Sequence, residues 1–368
     1  MKKSLLFMCV LAVALASCSR GELPDEPVTP TPPDPGKEDL VEIRLQSAVN
    51  PLEANTKTPF IGDITTSTNE LTANVLMTKT AGGFAAGSTI EQSSMTFKAN
   101  ETSTPLWGGK QYYPVDNSSV FLCGLHPDGA GWTQGTDEST MTYTFNGKTD
   151  VMAAREVETK KTQAQQETPT YPVLAFKHLL TNLIVKAEVV TEADVTAADV
   201  QKTWGAITSI ELAKVQGDPL KRMNKVTVTL KDATAATATA FSLDATYAVG
   251  FYKMSGKNFP GAGVSEPFVF TDDAFASTPI PDPAAAVAYS IIAPVVTVGV
   301  DKADFTLLVK TENTTSAGGV EVPVKLSATG DTQGKYCIVT LKFKNTTISA
   351  TASVAAWTQG STADTTIQ

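Results

Sequence analysis

The residue whose surroundings commit it most clearly to chemistry is Cys18. It closes the run Leu15-Ala16-Ser17-Cys18, after Lys2, Lys3 and an apolar stretch from Leu5 to Ala16, the layout of an export signal ending in a lipobox. Small residues before the cysteine let the chain lie extended in a peptidase cleft. The thiol is then the nucleophile that accepts a diacylglycerol before cleavage. The competing reading is an ordinary signal peptide with an incidental cysteine. No other apolar run approaches the roughly 20 residues that span a bilayer, so lipid on Cys18 is the expected attachment to a membrane.

The remaining reactive side chains do not assemble into a catalytic pattern. There are four cysteines; two lie in the export segment, and Cys123 and Cys337 fall in opposite halves of the rest. They read as buried free thiols on strands, with a disulfide between them as the alternative, because a disulfide scaffold needs denser cysteines. The chain has two histidines, His126 and His178. Cys123 and His126 are three apart, which on a strand sends them to opposite faces. Neither histidine has a partner at metal-ligand spacing, and each reads as a core or interface residue. The acid pairs Asp137-Glu138 and Asp272-Asp273 read as solvated loop charges, with calcium a weak alternative. Gly109-Lys110 would suit a phosphate loop, but Thr104 stands where its first glycine belongs and no helix pattern follows. No enzyme activity, metal or cofactor is expected. The chemistry expected on the chain is hydrolysis: ANTKTPF (54–60) is a basic, turn-like segment open to a trypsin-like protease, with Lys57 the favoured site and Arg44 the alternative.

The elements that carry these residues are strands. Residues 171–190, YPVLAFKHLLTNLIVKAEVV, alternate over Val173–His178, break briefly, and alternate again through Leu183, Val185, Ala187 and Val189. The simplest reading makes this the last strand of one domain running into the first strand of the next. A length of 368 residues suits two domains of about 130 to 180 residues after a signal and a linker. Hydrophobic residues make up 42%, with Thr, Val and Ala abundant and few convincing helical periods, so the class is all-β. The expected division is 1–17 signal peptide, 18–40 lipidated Pro-rich tether, 41–180 first sandwich and 181–368 second sandwich. The net charge of −9, more acidic still once Lys2 and Lys3 leave, argues against nucleic acid and anionic lipid as partners. In the tether, GELPDEPVTPTPPDPGK (21–37) favours polyproline II; at about 3.1 Å per residue it reaches roughly 50 to 60 Å.

At the start of the first domain Val41, Ile43, Leu45, Ser47 and Val49 share one face and Glu42, Arg44 and Gln46 the other, a half-buried strand. Buried Val, Ile and Leu side chains contribute about 1.5 to 3 kcal/mol each, so Val41, Ile43, Leu45 and Val49 together reach roughly 6 to 12 kcal/mol. Excising 41–57 would leave an apolar groove with unpaired backbone that must be refilled. That this strand is never removed remains open beside it. At the other end Ile348, Ala350, Ala352 and Val354 alternate in a terminal strand. It could pack in its own domain or fill a groove in a neighbour by strand addition.

Taken together the pieces resemble the Bacteroidales fimbrillin family, subunits of type V pili. The resemblance rests on the lipobox at Cys18, Thr56-Lys57, WGGKQYYP (107–114) with FLCGLHP (121–127), TDVMAA (149–154), VLAFKHLLTNLIVKA (173–187), GKYCIVTLKF (334–343) and VAAWTQG (354–360). It implies two transthyretin-like β-sandwiches in tandem, export as an outer-membrane lipoprotein carrying palmitate, removal of the first strand by a trypsin-like protease, and assembly with other subunits, like or unlike, by strand exchange. The family's usual cut follows arginine, whereas Lys57 stands in that place here. An arginine-specific enzyme would leave such a subunit anchored as a base or tip component. The alternative function is a permanently tethered surface lipoprotein that binds a glycan or host protein, with exposed Trp132 or Trp204 stacking on sugar.

Overall fold

Alternation around the middle of the chain is realised as two strands, β8 (Val173–His178) and β9 (Thr181–Val189), separated only by Leu179 and Leu180. They belong to different sheets, so this short joint is where the chain passes from one layer to another. In β8 the odd positions face outward and Leu174, Phe176 and His178 are buried. The computed structural model describes residues 40–49, 70–84, 88–98, 110–135, 139–215, 223–231, 238–242, 249–258, 265–296, 302–314, 318–326 and 331–356. All fall in one compact unit, Leu40–Gln368. Cys18, Lys57 and residues 1–39, read from the sequence as export signal and tether, lie outside the described residues.

Four sheets form among the described residues, and the all-β class expected from composition holds. The first runs β1 (Gln46–Val49), β8, β7 (Met152–Thr159), β4 (Val120–His126), β2 (Glu70–Thr78) and β3 (Glu91–Lys98). It is antiparallel except for β1, which lies parallel to β8 with Gln46 opposite Val173 and Val49 opposite Phe176. The sheet curls until its outer strands β1 and β3 approach each other. A second sheet has the order β12 (Ala238–Ser242), β11 (Lys225–Thr229), β6 (Thr140–Thr144) and β5 (Trp132–Gln134). The third runs β14 (Val269–Ala274), β13 (Tyr252–Ser255), β15 (Ala285–Ile292), β9, β18 (Lys335–Phe343) and β19 (Ile348–Ala356). The fourth is β10 (Ile207–Val215), β16 (Phe305–Thr311) and β17 (Val320–Val324).

Period-two alternation sends each sheet's apolar residues to two faces, and three cores result. One lies within the curl of the first sheet, where Leu71, Val75, Phe97, Leu122, Leu174 and Phe176 meet. Another fills the space between the opposite face of that sheet, the second sheet and one face of the third, joining Leu76, Cys123 and Leu125 to Val226, Val228, Ile184 and Tyr289. The last is the sandwich of the third and fourth sheets, with Leu183, Val185, Leu307, Val339 and Leu341.

Helix is confined to α1 (Lys161–Ala164) and α2 (Ala197–Trp204) among the described residues. The α2 start is set by Thr196, whose hydroxyl accepts from the Asp199 amide while the Asp199 carboxylate accepts from the Thr196 amide, a reciprocal cap. No described helix is long and apolar enough to cross a membrane.

Candidate functional site

The opening strand is built in two parts rather than as one continuous edge. Over Val41–Ile43 it pairs outside the first sheet with residues 111–113. The Ile43 amide donates to the Gln111 carbonyl at 2.9 Å and the Tyr113 amide to the Val41 carbonyl at 2.9 Å. Glu42 and Tyr112 form an antiparallel bridge between them. The chain then enters the sheet: the Gln46 amide donates to Pro172 at 3.0 Å and β1 follows β8. Thus one nine-residue stretch lies over the mouth of the curl and closes its seam beside β3.

Ile43 and Leu45 are both 0% exposed, packed among Leu71, Ala73, Val75, Met95, Phe97, Leu174 and Phe176. Val41 is half-buried and packs on the same core. The backbone of Val49 runs in β1, but its side chain lies outside the described residues. The two fully buried side chains therefore account for about 3 to 6 kcal/mol of the burial expected from four. The partner segment is anchored separately. Tyr113 is buried and its hydroxyl lies 2.9 Å from the Thr159 hydroxyl; burial pushes its ionisation upward, so it stays neutral. Sequence reading missed Tyr113 and Gln111 as the opening strand's partners. The available signal was a polar–aromatic run that could not be matched to a distant strand.

Arg44 points outward between the two buried residues, its side chain about half exposed and 3.4 Å from Glu42. The backbone just before it, at Val41 and Ile43, is tied into the pairing with Gln111 and Tyr113, which a protease cleft would have to undo. Late in the chain Ile348, Ala350, Ala352 and Val354 lie on β19, an outer strand of the third sheet. β19 pairs with β18 from Lys335 opposite Ala356 to Phe343 opposite Ile348, through a tight turn in which the Lys344 amide donates to Thr347 at 2.9 Å. Ile348 is buried and the other three are partly buried against the third and fourth sheets' common core. Here, then, this strand is seated in its own chain.

The histidines and thiols take structural places. His178 Nδ1 meets Asp150 Oδ2, both side chains fully buried, and Asp150 Oδ1 accepts the Val151 amide at 2.8 Å. Together with the Leu179 amide donating to Val151 at 2.8 Å, this pins the end of β8 just before the joint. His126 Nδ1 lies 2.6 Å from the Thr72 carbonyl, and burial lowers its proton affinity. Cys123 and Cys337 are free and buried, as read from the sequence; burial pushes the Cys337 thiol up to about 12 and the Cys123 thiol well up. Among the described residues no group of three or more His, Cys, Asp or Glu side chains could hold a metal ion.

The expectation of an exposed Trp204 is overturned. Its ring is 8% exposed at the end of α2, set edge-on to Phe343, and its indole N–H donates to the Lys344 carbonyl at 2.6 Å. Trp132 is half-buried. It stacks at a tilt on Tyr143 with ring centroids 5.1 Å apart and donates to the Pro127 carbonyl at 2.9 Å.

No protein-family model and no curated protein matches the chain. Among solved structures it is similar to a proposed cell adhesion protein from Bacteroides uniformis ATCC 8492, at 16% identity over 86% of this chain and 99% of that one, with a TM-score of 0.46. It is similar to another from Bacteroides ovatus ATCC 8483, at 12% identity over 88% and 100%, with a TM-score of 0.46. A fimbrial protein from Bacteroides vulgatus ATCC 8482 is similar at 14% identity over 86% and 99%, with a TM-score of 0.42. At these identities and scores the likeness decides nothing about the chain's role.

Proposed function

We propose that this chain is a structural or adhesive subunit of a cell-surface fimbria: exported with lipid on Cys18, trimmed near Lys57, and joined to other subunits by strand exchange. The observation that supports this reading is the complete burial of Ile43 and Leu45 in a segment that comes first among the described residues and closes the seam of a curled sheet. Taking that segment away exposes the first core and frees the outer edge of β8, a vacancy shaped for an extended strand with apolar residues on alternate positions. The candidate filler is Ile348–Val354 of another copy, which has the right period and, at Ala350 and Ala352, smaller side chains than Ile43 and Leu45.

The test treats the purified precursor with a trypsin-like protease and follows mass and size. Loss of residues up to Lys57 followed by oligomers is expected; a trimmed chain that stays monomeric and stable would overturn the reading. Truncation after Asn345 then asks whether the terminal strand is the filler, since polymers that form without it remove it from the mechanism.

A second reading keeps the opening strand in place and the lipid attached, giving a base or tip component or a tethered binder of glycan or host protein. The full seating of Ile43, Leu45 and β19 within one chain favours it, as does lysine at position 57. Any sugar-stacking surface in this reading would fall to the half-buried Trp132–Tyr143 pair rather than to Trp204.

A further inference from the structure

The second sheet is shared between distant parts of the sequence. β11 and β12 follow the joint at Leu179-Leu180, yet β11 lies against β6, which precedes it, with Lys225 opposite Thr144 and Thr229 opposite Thr140. Both ends of β11 are tied to the first half as well. The Phe145 amide donates to Asn224 at 2.7 Å, the Leu230 amide to Ser139 at 2.7 Å, and the Glu156 amide to Leu230 at 3.2 Å. Val226, Val228 and Leu230 are buried against Leu76, Cys123 and Leu125 of the first sheet. A second tie runs the other way. The Gly250 amide donates to Asn146 at 2.8 Å and the Ile291 amide to Gly147 at 2.7 Å, while Lys148 reaches Asp272 at 3.2 Å.

The first sheet therefore has two apolar faces with independent covers. Ile43 and Leu45 cover only the inner face, with Leu71, Val75 and Phe176. The outer face, with Leu76, Cys123, Leu125 and Ala153, is covered by strands of the second sheet, and Val226 and Val228 of β11 pack there together with Ile184 and Tyr289 of the third sheet in a core that contains neither Ile43 nor Leu45. Loss of the opening segment strips one face and leaves the other packed.

We infer that the β11–β12 hairpin is a clasp by which the second half of the chain keeps the first sheet folded while its opening segment is absent, holding the seam ready for a strand from another subunit. The inference rests on the strand-exchange reading for its purpose. Its physical content, that the clasp carries the first sheet once the segment is displaced, stands apart from it.

The experiment uses the full chain carrying Thr142→Cys and Thr227→Cys. These residues face each other across β6 and β11 with hydroxyls 3.1 Å apart, so oxidation locks the clasp and reduction returns it to its natural strength. A companion chain with Val226→Thr and Val228→Thr weakens it. In each, a site-specific protease sequence replacing residues 52–58 is cut after folding, and hydrogen exchange is followed at the amides of β2 and β4. After cutting and release of the opening segment, the locked clasp should protect these amides best, the reduced clasp should let them exchange about threefold faster, and the weakened clasp should speed their exchange by about tenfold or more. The uncut weakened chain should stay protected. Equal exchange from locked, native and weakened chains after release would overturn the clasp. If the segment never leaves the cut chain, the strand-exchange reading fails instead. The clasp is then judged on uncut chains with Ile43→Asp and Leu45→Asp, which displace the segment without a protease, by the same comparison of oxidised with reduced protein. Should the weakened variant fail to fold, that comparison alone decides the matter.

Discussion

Replacing Ile43 and Leu45 together by alanine should unfold the first sheet far more readily than any change on the exposed side of the same segment. Both side chains are 0% exposed, and large-to-alanine changes at such positions cost about 2 to 5 kcal/mol each. The two share one core, so their costs need not add. A combined loss of at least about 4 kcal/mol is expected, against a typical domain stability of roughly 5 to 15 kcal/mol. The surroundings have little freedom to collapse into the space. Phe97 and Phe176 pack with ring centroids 5.9 Å apart, and Phe176 lies so close over Gly124 that a Cβ there would sit 2.4 Å from the ring. Urea unfolding followed by circular dichroism reads the effect as a shift in midpoint and extrapolated stability. Leu40→Ala, at a position 58% exposed, is the control and should change stability by no more than about 0.5 kcal/mol. A combined loss below about 1 kcal/mol for the double variant would refute the reasoning: the opening segment would then contribute little to the interior, and removing it would create no vacancy.

Three further outcomes are expected. Burial holds the His126 pKa below its unfolded value, so the unfolded chain binds the proton first; its stabilising contribution is full above about pH 6.5 and is lost as pH falls through the lowered folded value. Unfolding midpoints at pH 7.5 and 5.5 should therefore differ more in the natural protein than in His126→Gln, and an equal difference would remove this residue from the pH response. At pH 8 iodoacetamide should leave Cys123 and Cys337 unmodified in the folded chain and alkylate both in denaturant, read by peptide mass; labelling of either in the folded state would contradict their burial and raised pKa values. Gly147→Ala should destabilise more than Gly129→Ala. Both backbones have positive φ, at 95° and 91°, and share a strain of about 1 to 3 kcal/mol, but a Cβ at 147 would lie 2.3 Å from the Gly250 carbonyl oxygen whereas at 129 it meets nothing within 4 Å. Thermal midpoints of the two variants check this, and equal shifts would show that the Gly147–Gly250 contact tolerates the methyl group.

Alternation alone was enough to identify β8, β9, β10, β11 and β16, and to mark Ile43 and Leu45 as interior residues, because a strand's two faces are set by its own backbone. It also separated the residues of FLCGLHP: Cys123 faces the core shared with the second sheet, while His126 lies where its ring reaches Thr72. What alternation does not encode is the partner. That Val41–Ile43 would pair with Gln111–Tyr113 and the chain then hand over to a parallel alignment with β8 depends on which distant edge is vacant when the sheet curls. The joining of β11 to β6 across the Leu179-Leu180 joint is the same kind of choice, made by the fit of Val226 and Val228 against Leu76 and Leu125. Trp204 shows the limit at a single residue, since a short polar helix pattern gives no sign that its last side chain will be enclosed by Phe343 and Lys344. The composition and periodicity of this chain determined that it would be strands with inner and outer faces. Only the tertiary structure decided which strands would meet, because backbone edges compete for one another over distances along the chain that local sequence does not record.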